Sequence, residues 1–376
     1  MNLILDFFLV TGIVINAIIL VQLLRIKKKA LSQKILIVLF SLLFCVALYF
    51  YALLHNIIWL AKLCFLPNDV TIITLAPLLF LYVKSLFLEE KSLVKNHLNH
   101  FTPAVLFALG ITIPTMIFNS YHSNALAYTH SNIVRFIIRT ENIYFLLYLT
   151  ISLRFLLKHQ KLSKYEYSNL SKYDLNWIKV MLISALSIIG LDLAIKVYES
   201  IVSDFTWNAD FLSVLAMIIL VSYLGFYGIN QSKVLLPSFL LQNDTKPKSN
   251  KAENKMLSAE KKQEFEHLKH KLISTLNTNH PYLDEDLTLG KLAQQISTTD
   301  KTLSTMLNQY MKTTFYDLIN TYRVEAVKKK IKSDHYSNYS LFGIACECGF
   351  KSRTSFNRIF KKETGLSPSN YKNSKS

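Results

Sequence analysis

The sequence predicts an all-α protein: a seven-helix transmembrane bundle followed by a smaller, water-facing helical domain. Three observations carry that prediction. The chain holds seven apolar runs, each about the roughly 20 residues that a helix needs to cross a bilayer core of about 30 Å. Its composition is 51% hydrophobic and 18% charged, with a mean hydropathy of +0.26, where soluble domains carry roughly 25% charged residues. The basic residues are segregated: 42 Lys+Arg face 25 Asp+Glu overall, and residues 251–376 alone hold 21 against 13. This much apolar content excludes disorder over most of the length. Nine Gly and eight Pro exclude a collagen-like chain, and four Cys exclude a disulfide-stapled secreted domain.

The expected spans are approximately 3–24, 35–55, 71–89, 101–119, 136–157, 177–202 and 209–230. The first reads as a retained helix and not as a cleaved leader, because its apolar stretch is long, it contains Asp6, and its positives (Arg25, Lys27, Lys28, Lys29) follow it. Residues 56–66 are apolar but too short to span, and read as an interfacial or re-entrant segment. Lys/Arg cluster after the first, third and fifth spans, whereas the alternating loops are poor in them and the sixth carries Asp204 and Asp210. Positive loops stay in the cytoplasm, so the expected topology is N-terminus outside and C-terminus inside. Residues 1–231 form the expected membrane domain, 232–265 a linker and connecting helix, and 266–376 the C-terminal domain. The stretch Gln242–Lys251, rich in Pro, Ser, Asn and Lys, has linker composition.

From Ala259 the pattern turns to amphipathic helices separated by turns. The first runs to about 277, with Phe265, Leu268, Leu272 and Leu276 on one face, and is stopped by Asn279-His280-Pro281. A short helix follows Thr288, a good N-cap, and buries Leu289, Leu292, Ala293 and Ile296. After a turn at 297–299, a second begins near Asp300 with Leu303, Met306, Leu307 and Tyr310 inward. A long helix over 314–332 turns Phe315, Leu318, Ile319, Tyr322, Ala326 and Val327 inward, and its lysine-loaded end suits a helix C-terminus. The short-helix, turn, short-helix pattern then repeats: Ser340 to Cys348, a turn at Gly349, and a helix from Ser352 to about Glu363 ended by Gly365. Two helix-turn-helix units on one connecting helix suit successive major-groove faces of a duplex.

Residues 266–373 resemble the DNA-binding domain of the AraC/XylS family of bacterial transcription regulators. The likeness rests on Leu289–Ala293, Lys301–Ser304, Phe315–Asn320, Arg323–Ala326 and above all the run Ile344–Tyr371. Lys312 stands where that family often has Gly after the first recognition helix, and Lys372 where Arg usually follows the terminal Tyr. More weakly, Ala76–Lys84 and Tyr223–Gln231 are similar to seven-span membrane domains fused to such regulators. The resemblance implies an AraC-type double helix-turn-helix fold and double-stranded promoter DNA as partner. It places major-groove contacts at Lys301, Ser304 and Thr305 in the first unit, and at Arg353, Thr354, Asn357 and Arg358 in the second. Arg suits guanine and Asn suits adenine. The first unit has neither Arg nor Gln at its tip, so it is expected to discriminate less.

Inside the membrane, Asp192 and Lys196 lie four apart on one helix face, and Arg139 and Glu141 stand at the outer start of the fifth span. Ionisable groups at membrane depth pair with each other or line a cavity. They are either a sensing cluster for a small ligand or membrane signal, or an ion pair that holds the bundle together. Cys346 and Cys348 diverge around their helix, and His97 with His100 supply only two ligands, so no metal site is expected. The sequence shows no glycine-rich phosphate loop, nucleophile elbow or catalytic carboxylate pair, and no cofactor or enzyme activity is expected. The leading expectation is a membrane-embedded, one-component regulator in the bacterial cytoplasmic membrane, with the lipid bilayer and a second copy of the chain, as a homodimer, among its expected partners. The alternative is a seven-span transporter or ligand-binding membrane protein whose basic tail binds a protein or anionic lipid.

Overall fold

The computed structural model describes residues 2–88, 98–121, 132–170, 175–202, 210–231, 234, 240, 259–336 and 338–374. Among these, helices are joined by turns, and an isolated bridge between Tyr167 and Thr288 is the β-type pairing. The chain divides into two compact units, Met1–Lys158 with Leu175–Leu235, and His159–Asp174 with Leu236–Ser376.

The first unit holds α1 (Asn2–Arg25), α2 (Leu31–Leu54), α3 (Ile58–Ser85), α4 (102–121, with a π turn at Ala108–Thr112), α5 (Asn132–Ser163), α6 (Asn176–Ile201) and α7 (Asp210–Gly228). α2 lies between α1 and α3, α7 packs on α1, and α6 packs on α7. Gly225 permits that approach of α7, because a Cβ there would collide with the Ile19 side chain. Phe80 and Phe87 of α3 meet Phe155 of α5 edge-on, with ring centroids 6.4 and 5.9 Å apart. The outer surface is apolar: Phe7, Ile18, Trp59, Leu106, Leu147 and Phe226 are all exposed. Polar Asn16, Asp69, Thr112 and Asn142 are buried instead. The buried remainder is largely apolar, as with Leu23, Leu36 and Leu149, and an apolar exterior of this kind is compatible with a lipid-facing bundle.

Among the described residues four helices are long and apolar enough to cross a membrane: Asp6–Arg25, Leu31–Leu54, Asn99–Ile117 and Asn176–Ile195. α3 makes a fifth if its two halves, Ile58–Thr71 and Ile73–Ser85, count as one span across a 56° bend. The apolar stretch 56–66 and the span expected at 71–89 are thus parts of one helix, and Pro67 and Pro77 within it remove backbone donors. Of the other two expected spans, α5 carries Arg135, Arg139 and Glu141, and in α7 the stretch Ile218–Gly228 is the apolar part.

The second unit contains α8 (Ala259–Thr278), α9 (Leu289–Gln295), α10 (Asp300–Thr305, continued by a π turn to Tyr310), α11 (Phe315–Ile331), α12 (Leu341–Glu347), α13 (Arg353–Thr364) and α14 (Pro368–Asn373). α9 to α14 each start on a Ser or Thr whose side chain accepts a backbone N–H from the first turn: Thr288, Thr299, Thr314, Ser340, Ser352 and Ser367. Such caps contribute about 1 kcal/mol each, which matters for helices this short. Two cores result. One gathers Phe265, Leu272, Leu289, Leu292, Leu303 and Leu307, and the other Val327, Ile344, Phe350, Phe356, Phe360 and Tyr371. α11 belongs to both, giving Phe315 and Ile319 to the first and Tyr316, Val324 and Val327 to the second. The expected single inward face of this helix is therefore two faces. Leu318, Tyr322 and Ala326 are only half-buried, while Tyr316, Asn320, Arg323 and Val324 are buried.

Candidate nucleic-acid interface

The two helix-turn-helix units repeat at the level of single hydrogen bonds. In the first turn the Ser297 amide donates to Gln294 O (3.1 Å) and the Thr298 amide to Ala293 O (2.9 Å). In the second, the Gly349 amide donates to Cys346 O and the Phe350 amide to Ala345 O, both at 3.0 Å. Each turn passes through one left-handed residue, Ser297 at φ 56° and Gly349 at φ 85°. Glycine is required at the second. A Cβ on Gly349 would stand 2.6 Å from Tyr282 O and 2.8 Å from Arg323 Nε. Ala293 and Ala345 are fully buried beneath the turns.

This geometry presents α10 and α13 as the second helix of each unit. On α13, Arg353, Thr354, Asn357 and Arg358 are all exposed, while Phe356, Ile359 and Phe360 point into the core. Arg353 lies over the Phe342 ring at 5.4 Å, and Arg358 donates to the Tyr316 hydroxyl at 3.1 Å. On α10, Lys301 is exposed and Thr305 half-buried, its hydroxyl donating to Lys301 O at 2.7 Å. Ser304 departs from expectation. It is 5% exposed and accepts from Asn308 Nδ2, because it follows Leu303 on the side of α10 that turns toward the core.

Several lysines of this unit are neutralised locally. Lys351 pairs with Glu285 (2.5 Å), Lys291 with Asp284 (3.1 Å) and Lys362 with Asp317 (2.8 Å). Burial raises the Asp317 pKa, but Lys362 and Thr314 outweigh it and hold the carboxyl below its usual value. Among the described residues Lys301, Arg353 and Arg358 make no ion pair, so their charge is available to an anionic partner. Lys312 sits at φ 53°, so the left-handed turn after α10 is kept with lysine in place of glycine.

The residue that sequence reading missed is Arg323. It is 1% exposed and its guanidinium donates to Tyr282 O (2.8 Å), Asp284 O (2.8 Å), Ser168 O (3.1 Å) and Ser168 Oγ (3.1 Å). Burial pulls its pKa down to about 10, which still leaves it charged at neutral pH. The sequence signal was an Arg on the inward stripe of a helix, whose acceptors lie in segments remote along the chain.

In the first unit, the side chains of Arg139, Glu141 and Lys196 lie outside the described residues, as does most of the expected linker. Asp192 on α6 accepts a 2.7 Å hydrogen bond from Asn142 Nδ2 on α5. Both line a cavity of about 420 Å³ whose other walls include Leu43, Phe145, Met181 and Leu220. The cavity is apolar with a polar end, and it suits an amphipathic molecule. Asn142 was not expected at this place. His100 meets the Tyr148 hydroxyl at 2.9 Å, and among the described residues no three His, Cys, Asp or Glu gather to hold a metal.

Residues 292–374 match the family model described as a helix-turn-helix domain. An uncharacterized HTH-type transcriptional regulator of Staphylococcus aureus (strain COL) is 30% identical over 91 residues, which are 24% of this chain and 12% of that protein. The chain thus spans about an eighth of the length of the curated relative it matches. No solved structure matches the chain. The two findings, on the repeated geometry described above, establish that residues 292–374 carry a helix-turn-helix domain.

Proposed function

We propose that the chain is a membrane-embedded one-component transcription regulator. Its two helix-turn-helix units bind promoter DNA sequence-specifically, and its seven-helix bundle senses a small ligand or membrane signal through the cavity beside Asn142 and Asp192. The N-terminus faces outward and the helix-turn-helix domain the bacterial cytoplasm. The observation that carries this reading is α13. It sets Arg353, Thr354, Asn357 and Arg358 on one solvent face while the opposite face is core. Arg and Asn are suited to base edges, and the remaining exposed cations, such as Lys361, to phosphates.

The test uses the full chain in lipid nanodiscs and the duplex immediately upstream of its own coding sequence, with competitor DNA and a salt series. Selective binding that weakens with salt is expected. Arg353→Ala and Arg358→Ala are each expected to cost about 1–3 kcal/mol and to relax selectivity at one base position. A folded chain that binds anionic vesicles but shows no selectivity among duplexes would overturn the reading in favour of a membrane protein with a basic tail.

A further inference from the structure

The chain between α5 and α6 supplies part of the second unit. α5 ends at Ser163, and residues 164–170 then run along the helix-turn-helix domain. Lys164 O accepts from the Tyr316 amide (3.0 Å) and Glu166 O from the Leu289 amide (2.9 Å). Tyr167 forms an antiparallel bridge with Thr288. Ser168 is held on three sides. Its hydroxyl donates to Leu287 O (2.7 Å), its carbonyl accepts from Asn320 Nδ2 (3.2 Å) and Arg323 Nη1 (3.1 Å), and its Oγ accepts from Arg323 Nη2 (3.1 Å). Leu170 packs against the second core.

These contacts follow a chemical logic. Leu289 is the first residue of α9 and Tyr316 the second of α11, so their amides have no acceptor within their own helices. The segment's carbonyls satisfy them. Its contacts span both units: Leu287, Thr288 and Leu289 belong to the first, Leu170 reaches the second, and Tyr316, Asn320 and Arg323 lie on the helix that joins them. It also touches the reading elements, since Tyr316 holds Arg358 through its hydroxyl. Glu166 is buried with Oε2 lacking a hydrogen-bond partner, so the docked segment carries a group that gains on release into water.

We propose that residues 164–170 are a signal-bearing strap, which docks across both helix-turn-helix units and couples α5 and α6 to the DNA-binding state of the domain. This inference rests on the DNA-binding reading above. Two sites coupled in this way change each other's affinity reciprocally.

The test compares two variants of the full chain in nanodiscs. Tyr167→Cys with Thr288→Cys, in a Cys346→Ser background, locks the strap on oxidation, since paired residues of an antiparallel bridge lie within disulfide reach. Ser168→Lys expels it by setting an ammonium against the buried Arg323 guanidinium. Amide hydrogen exchange at Leu289 and Tyr316 reads docking, and affinity for the upstream duplex reads coupling. Protection at both amides is expected in the parent and the locked form and lost in Ser168→Lys. Affinity is expected to differ between oxidised and reduced forms of the lock by about 5- to 150-fold. Equal affinity of the two forms, or equal exchange in parent and Ser168→Lys, would overturn the proposal. The lock keeps the comparison within one preparation should Ser168→Lys fail to fold. Binding of no duplex by either form, with the two amides still protected, would refute the DNA-binding reading and the coupling built on it, while leaving the docking itself demonstrated.

Discussion

Arg323→Ala removes the side chain that ties Tyr282, Asp284 and Ser168 together. Its guanidinium donates four hydrogen bonds, at 2.8 to 3.1 Å, to oxygens of Tyr282, Asp284 and Ser168. Hydrogen bonds to a charged group contribute about 1.5–3 kcal/mol each, so the gross value is about 6–12 kcal/mol. Against this stands the desolvation of a buried cation, several kcal/mol, visible here as the pKa drawn down to about 10. Removing one partner from a buried charged network costs about 3–5 kcal/mol net, because the acceptors left behind are dry and unpaired. Alanine also empties the space beside Phe350, whose ring centroid is 6.0 Å from the guanidinium carbon. The measurement is native-state hydrogen exchange on the full chain in nanodiscs, which reads the second unit separately from the bundle. At about 1.36 kcal/mol per tenfold, protection of α9, α11 and α12 amides should fall by about two to four orders of magnitude. Arg323→Lys should lose about half as much in free energy, because an ammonium cannot fork to separate acceptors. A loss below one order of magnitude for alanine, or none for lysine, would refute the argument that this fork holds the unit together.

Gly349→Ala should destabilise the same amides by about 2–3 kcal/mol, from the left-handed φ and the collision with Tyr282 O together. An unchanged exchange pattern would mean that the second turn takes another shape. Lys312→Gly should act in the opposite direction and stabilise the first unit by about 0.5–1 kcal/mol, since φ 53° strains any side chain. Thermal unfolding followed on the first unit's amides would check it, and a loss of stability would contradict the assigned backbone. Glu166 is raised to about 8 by burial and by the nearby Asp300 carboxylate, whereas a released strap has an ordinary carboxyl near 4.3. The docked state therefore binds the proton more tightly. Docking is strongest below the ordinary value and weakens as pH rises toward about 8. Exchange at Leu289 and Tyr316, corrected for intrinsic rate, should rise over that window in the parent and stay flat in Glu166→Gln. Parallel profiles would refute a protonated, docked Glu166.

Much of the second unit was legible because its signals are local. Ser and Thr caps, the stop at Gly365 and the apolar stripes of α8, α9 and α13 each depend on residues within a turn or two. Helix bounds followed: α8 runs Ala259–Thr278 where the pattern suggested 259–277, and α11 runs Phe315–Ile331 within the expected 314–332. What escaped was long-range. α11 is buried on two faces, so its stripe is not the one-sided pattern that periodicity detects. Ser304 sits next to the core-facing Leu303, and one turn of helix decides whether a hydroxyl faces water or protein. Ser168 and Arg323 are too distant in sequence for either to announce the other. In the first unit, hydropathy marked the apolar helices but not that Ile58–Ser85 is one helix bent by 56°. Nor could it mark Asn142, a polar residue whose meaning comes from Asp192 on the next helix.

The placement of the strap bears on how the proposed coupling would run. The path proposed above runs through the end of α5. α5 is helical to Ser163, whose hydroxyl donates to His159 O at 3.1 Å, and the first strap bond is made by the very next residue, Lys164. The strap bonds at the Tyr316 amide and, two residues on, at the Leu289 amide thus follow the end of α5 without an intervening gap in the chain. Most of the hydrogen bonds described for the strap use its backbone carbonyls, and its buried side chains include Glu166 and Ser168. Those two set the balance in opposite directions. Ser168 fits the Arg323 fork and favours docking, while the buried carboxyl of Glu166 opposes it. A contact poised by one favourable and one unfavourable buried group is moved by any partner that binds its docked and released states with affinities differing by a few kcal/mol.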